Sequence, residues 1–208
     1  MSKCVQNLGM ALFAAALSLP GSAAKADPNP PSNPHQHITS EVIERIRTVL
    51  ANPIVERSIE AQNDKYGDLP QDEITRLDQQ WRAERKADDK PLIAMTLSNP
   101  LSSYLTRVQA DNLGLYAAIF VMDRNGLNVG QSAITGDFWQ GDEAKFQKTF
   151  PEGGAAVFVD EPEWIDEFKT WIVQVNLSFA DAQSGQPIGT ATFDVNLAEL
   201  ERRAAANH

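Results

Sequence analysis

The chain has 208 residues, with 18 Lys and Arg against 28 Asp and Glu, for a formal net charge of −10. That acidic balance argues against nucleic acid and against anionic membrane surfaces as partners. The single cysteine, Cys4, excludes an intrachain disulfide, and its place at the very start, in a segment expected to be removed, argues against cysteine-ligated zinc.

Residues 1–26 read as a secretory signal. Lys3 supplies the positive start, residues 8–19 form a short apolar run, and Ala24-Lys25-Ala26 offers a small-x-small cleavage site. The apolar run is too short for a permanent membrane span. Cys4 precedes it and so does not sit where a lipid-modified cysteine would. Cleavage after Ala26 would leave 182 residues, remove Cys4, Lys3 and Lys25, and bring the net charge to −12. A chain of that length can bury one proper core without covalent staples. No later stretch is long and apolar enough to cross a bilayer, so the expected product is soluble and periplasmic.

Residues 27–38 are rich in Pro, Asn and other polar residues and read as a disordered lead. A helical lead over 39–114 follows. Ser40 is the candidate N-cap, and Val42, Ile43, Ile46, Val49 and Leu50 recur at helical spacing. Pro53 ends or kinks that helix at Asn52. Ile54, Val55 and Ile59 restart the stripe, which runs to about Tyr66. Residues 71–86 predict an amphipathic helix with Ile74, Leu77 and Trp81 on one face. Asp72 with Arg76, and Asp78 with Arg82, stand four residues apart as favourable pairs. Residues 88–91 read as a loop and 101–111 as another helix.

The strand region spans 115–200, with a short charged tail at 201–208. Residues 115–122 are almost wholly apolar, as expected of a strand covered on both faces. Asp123-Arg124-Asn125-Gly126 is a tight-turn signal, and 127–134 returns as a strand. Asp137, Phe138 and Trp139 fall in a loop before a short helix at 142–150. Residues 155–160 read as a third strand and 162–169 as a connection. On the fourth strand, Trp171, Val173, Val175, Leu177 and Phe179 share one face, with Ile172, Gln174, Asn176 and Ser178 on the other. On the last, Ala191, Phe193, Val195 and Leu197 oppose Thr190, Thr192, Asp194 and Asn196. Helices first and hairpin-linked strands second predict an α+β fold with a five-stranded antiparallel sheet. The helical lead should lie across one face of it.

The order helical lead, DRNGLNVGQS, DFWQGDE and closing GQPIGTATFDVN resembles the Cache (PDC-type) extracytoplasmic sensor domains, relatives of the PAS fold. The resemblance covers roughly residues 40–197. It implies a long N-terminal helix on one sheet face and a small-molecule pocket on the other, under the loop and helix between the second and third strands. Membrane-bound relatives continue into a transmembrane helix and a cytoplasmic effector. This chain stops at His208, so the resemblance is to a free-standing single-Cache protein.

Asp137, Phe138, Trp139 and Gln140 are the first candidates for ligand contact. Aromatic walls with one carboxylate suit a small organic cation or amine. The alternative is that the two rings plug the core. Asp142 and Glu143 sit where a helix dipole favours acids, and Lys145, one turn on, could face a ligand carboxylate. Gln174, Asn176 and Asp194 point toward the pocket if the helices cover the apolar faces. Arg107 and Tyr116 lie where, in amino-acid-binding relatives, such residues hold a ligand carboxylate. His35, His37 and His208 all fall in terminal segments expected to be mobile, so the common histidine triads and zinc sites are not expected.

The sequence therefore points to a non-enzymatic periplasmic sensor module, without cofactor or metal. Its expected ligand is an amino acid, amine or carboxylate, and its expected partner a membrane sensor kinase or chemoreceptor. The stripe of the helical lead offers a homodimer surface. A plugged interaction module is the competing reading. A carboxylate enzyme using Asp137, Asp142 or Asp194 ranks below it.

Overall fold

The computed structural model describes residues 34–166, 169–181 and 183–206. The proposed leader, residues 27–33 of the lead, and His208 lie outside the described residues. Residues 34–38, expected to belong to the disordered lead, are structured. Pro34–His37 forms a 3-10 turn, and Ile38 is buried. His35 reaches Glu161 at 3.4 Å and His37 reaches Glu201 at 3.2 Å. Two of the three histidines are thus tied to later elements, because the turn lies beside the C-terminal helix.

Helix α1 (Ser40–Leu50) is capped one residue earlier than the sequence suggests, by Thr39, whose Oγ1 accepts the Val42 N–H. Asn52 caps α2 (Pro53–Tyr66), with Pro53 in its first turn. Proline there removes a donor that has no helical partner, so it starts the second helix as well as ending the first. Helix α3 (Gln71–Glu84) follows. Its Asp78–Arg82 pair forms at 2.6 Å, whereas Arg76 pairs with Glu73 and not with Asp72. An unanticipated helix, α4 (Pro91–Leu97), leads to α5 (Pro100–Asp111), which Asn99 caps.

The sheet is antiparallel throughout. Its strands are β1 (Tyr116–Asp123), β2 (Asn128–Gln131), β3 (Val157–Val159), β4 (Glu163–Ile165), β5 (Thr170–Ala180) and β6 (Pro187–Asn196). The order is β2-β1-β6-β5-β3, and β4 pairs with the same edge of β5 further along. Strand β4 lies in the segment expected to be a bare connection, so the sheet has six strands. The helix expected at 142–150 shrinks to α6 (Ala144–Gln147), followed by a 3-10 turn at Phe150–Glu152. Helix α7 (Leu197–Ala206) closes the described chain.

Sheet alternation decides the layers. Val173, Val175, Leu177, Phe193, Val195, Ile119 and Val121 face the helices. They meet Ile46 and Leu50 of α1, Val55 and Ile59 of α2, and Leu101 and Leu105 of α5. The apolar stripe of α1, expected to be a dimer surface, therefore lies in the chain's own core: Ile46 and Leu50 are buried, and Val42, Ile43 and Val49 pack against them. A second cluster joins Ile74, Leu77 and Trp81 of α3 to Leu92, Ile93, Leu127 and Phe138.

The β1–β2 turn ties the layers together. Asp123 Oδ1 accepts the N–H groups of Asn125 (2.8 Å) and Leu127 (3.0 Å), while Oδ2 accepts from Gln62 of α2 at 2.9 Å. Gly126 has φ of +77°, and a Cβ there would also lie 2.7 Å from Gly141 Cα. Buried Asn63 of α2 donates to the Ile188 carbonyl at 2.8 Å and accepts the Arg124 N–H at 3.0 Å. Replacing Asn63 by Ala leaves both backbone groups without that partner. The expected loss is about 2 to 3 kcal/mol, read as a lower urea midpoint at unchanged denaturant slope.

Candidate functional site

A cleft of about 370 Å³ opens on the sheet face away from α1, α2 and α5. Its floor is Ala117, Ala118 and Phe120 of β1, Gln174 of β5 and Asp194 of β6. Ala118 and Gln174 are both register partners of Asp194, so neighbouring strands bring these three side chains together on one face. The loop 133–137 forms the rim, and Gln140, Glu143 and Lys145 close the remaining wall. This is the position that the Cache resemblance implies for a pocket, beneath the segment joining the second and third strands.

The wall is built by residues 137–140, and contacts with neighbouring elements set which way each side chain faces. Asp78 Oδ1 of α3 accepts the N–H groups of Phe138 (2.9 Å) and Trp139 (3.2 Å). The Asn128 N–H donates to the Phe138 carbonyl at 3.0 Å, and the Gln140 N–H to the Gly126 carbonyl at 2.8 Å. The segment bends at Phe138, so its two middle side chains leave on one side and its two outer ones on the other. Asp137 and Gln140 line the cleft. Phe138 enters the second core and stacks on Trp81, with ring centroids 5.2 Å apart. Trp139 packs at the edge of that core and donates its indole N–H to the Asn125 carbonyl at 2.9 Å. The expectation that these two rings wall the pocket is corrected: they are packing residues, and they plug a different core.

The charged side chains form a continuous chain of contacts. Arg82 Nη2 meets Asp137 Oδ2 at 3.1 Å, and Gln140 Nε2 donates to Asp137 Oδ1 at 2.6 Å. Lys145 Nζ donates to Gln140 Oε1 at 3.1 Å and pairs with Glu143 at 2.7 Å. Lys145 is buried and also lies 5.3 Å from the centre of the Phe120 ring. Asp194 stands apart from this chain and accepts from Gln174 Nε2 at 2.9 Å. Burial raises its pKa to about 6, against the opposing effects of Lys145 and the Gln174 hydrogen bond.

The remaining candidates fall elsewhere. Asn176 lies on the cleft side of β5 but is fully buried beyond the lining, accepting from Thr192 at 2.7 Å and donating to the Phe158 carbonyl at 3.1 Å. Tyr116 packs edge-on against Phe193 in the helix-covered core, where burial raises its pKa. Arg107 is exposed on α5. Neither Arg107 nor Tyr116 lines the cleft, because β1 turns Tyr116 toward the helices and α5 lies on that same side. Asp142 is exposed, whereas Glu143, expected to favour a helix start ahead of a metal or ligand role, reaches Lys145. Phe120 and Ala118 escaped the sequence reading because residues 115–122 are apolar on both faces and carry no alternation to read.

A larger groove, about 540 Å³, runs on the surface between α2 and the β5–β6 loop, beside exposed Glu60, Asp64 and Asp68. Its buried polar side chain, Asn63, already uses both amide atoms on backbone groups. Glu56, Glu60 and Asp181 bring their carboxylates together nearby, but Asp181 already accepts the Ser184 N–H at 2.6 Å.

No protein-family model and no curated protein matches the chain. Solved structures similar to it include sensor and ligand-binding domains. One is the ligand-binding domain of the Pseudomonas aeruginosa PAO1 amino acid chemoreceptor PctC in complex with GABA. It matches at 17% identity over 82% of this chain and 59% of that one, with a TM-score of 0.40. A second is the sensory domain of the Campylobacter jejuni chemoreceptor Tlp3, at 12% identity over 78% and 57% of the two chains and a TM-score of 0.39. The E. coli DcuS sensor domain matches at 18% identity over 64% of this chain and 97% of its own, with a TM-score of 0.37. The chain spans less than three fifths of the two chemoreceptor domains. Among the described residues no helix is long and apolar enough to cross a membrane.

Two outcomes follow from this geometry. Phe138→Ala should cost about 3 to 5 kcal/mol of stability, the usual loss for a buried aromatic ring, measured by urea unfolding. Asp194 binds its proton more tightly in the fold, at about 6, than at the ordinary 3.8. Its charged form therefore opposes folding at pH 7, and that opposition fades as pH falls through 6 toward 4. The stability of Asp194→Asn relative to wild type should accordingly drop by on the order of 2 kcal/mol between pH 7 and pH 4. Parallel unfolding curves at the two pH values read this difference.

Proposed function

We propose that the protein is an exported, non-enzymatic sensor module of the Cache type. In this reading it holds a small organic molecule in the cleft over β1, β5 and β6 and passes the ligand-bound state to a membrane sensor kinase or chemoreceptor. The observation that carries the reading is a hollow with a built polar lining. Helices fill the opposite sheet face, while this side keeps about 370 Å³ bordered by Asp137, Gln140, Lys145, Gln174 and Asp194. That volume is at the small end of the range for ligand pockets. Phe138 and Trp139 do not occupy it, which weighs against a plugged interaction module.

Signalling on this reading needs a ligand that binds one conformation better than another. Strand β1 is the natural link, since Ala118 and Phe120 face the cleft while Ile119 and Val121 contact the helical layer.

A thermal-shift screen over amino acids, amines, carboxylates and purines tests the proposal. A true ligand at about one hundred times its Kd adds about 2.7 kcal/mol, which raises Tm by about 5 to 10 °C in a domain of this size. Ala118→Trp fills the cleft floor and should abolish the shift while the variant still melts cooperatively. A shift that persists unchanged in that variant places the ligand elsewhere and rejects the cleft.

A further inference from the structure

We propose that the cleft, granted the binding reading above, selects small aliphatic amines over amino acids and carboxylates, with Asp194 as the counter-ion of the ammonium group. Four charged side chains line it: Asp137, Glu143, Lys145 and Asp194. Three of them are already neutralised. Glu143 pairs with Lys145 at 2.7 Å, and Asp137 pairs at 3.1 Å with Arg82, which reaches it from α3. Asp194 has no ion pair within 4 Å among the described residues, and its hydrogen-bond donor is the neutral amide of Gln174. Asp194 therefore faces the cleft without a direct ion pair, although the field of Lys145 reaches it.

An alkylammonium supplies what is missing. It brings one positive charge and three N–H donors to a carboxylate with acceptor capacity left over. Desolvation already penalises the ionised form of Asp194, holding its pKa at about 6, and a bound cation would offset that penalty.

A ligand carboxylate finds no comparable partner. The Lys145 ammonium is held between Glu143 and Gln140 Oε1. The Arg82 guanidinium is divided between Asp78 and Asp137, and Arg107 is on α5, away from the lining. Close to Asp194 and Glu143 a second anion is repelled, and rejection by like charge is a common source of specificity. The apolar part of the lining is Ala117, Ala118, Phe120, Ala133 and Ile134, which suits a short hydrocarbon body, and Thr135, Gln140 and Gln174 add neutral polar groups.

The test is isothermal titration of the purified chain with three compounds sharing one branched body: 3-methylbutylamine, L-leucine and 4-methylpentanoate. The amine should bind, leucine should bind at least about tenfold more weakly, and the acid should give no heat. Asp194→Asn should weaken the amine by at least about tenfold, the loss of one charge-assisted contact. Asp194→Glu, which keeps the charge, should restore most of it; melting curves confirm that both variants fold. Leucine or the acid binding as tightly as the amine overturns the selectivity, as does amine binding undiminished in Asp194→Asn. Silence from all three, with another compound class responding in a manner that Ala118→Trp blocks, overturns the amine and leaves the binding module standing. Silence there too overturns both.

Discussion

The carboxylate of Asp78 is where the helical layer controls the cleft side of the sheet. One oxygen accepts two successive backbone N–H groups, at Phe138 and Trp139, and the other holds Arg82. Two consecutive amides captured by one acceptor leave residues 137–140 little freedom to rotate. Phe138 must then enter the α3–α4 core, and Asp137 and Gln140 must face the other way. Arg82 reinforces the choice by reaching past Asp78 to Asp137. The cleft wall is thus positioned by a helix that does not itself line it. A buried carboxylate with fewer donors would be costly; here backbone amides and a guanidinium offset the desolvation.

Hydrogen bonding between neighbours explains why most of the polar sheet face is tolerated, although Asn128 Oδ1 and Gln131 Nε2 on β2 are buried without a partner. Cross-strand neighbours bond each other: Gln174 to Asp194, Thr192 to Asn176, and Thr170 to Asn196. Toward Thr192 the face is closed over by α6 and the following 3-10 turn. Toward Asp194 it stays open and becomes the cleft floor. The difference between buried ladder and open cleft floor is one of coverage, since the residue types are alike.

Much of the fold was legible because strand and helix periods are local. The alternation of β5 and β6 announced which residues face the helices, and Val173, Val175, Phe193 and Val195 do. Pro53 marked a helix boundary and 101–111 read as a helix, while the capping roles of Asn52 and Asn99 came only with the structure. What failed was where local signals are silent or shared. Strand β4 has three residues and pairs only because β5 overhangs β3. Asp78 looked like half of an intrahelical ion pair, and that pair exists, but its second oxygen acts across 60 positions of sequence. The dipeptide Phe138-Trp139 read equally as pocket wall or core because large rings serve both.

From residue pattern alone came the class: helices packed on one side of an antiparallel sheet, with Gln174 and Asp194 on the opposite side. These follow from periodicity, which needs no knowledge of neighbours. Only the tertiary structure decided which polar residues share a hollow and which are consumed as partners. It removed Phe138, Trp139, Arg107, Tyr116 and Asn176 from the lining and added Ala118, Phe120 and Glu143. The physical reason is that a site is defined by what remains uncovered after packing, and coverage is set by contacts between residues distant in the chain.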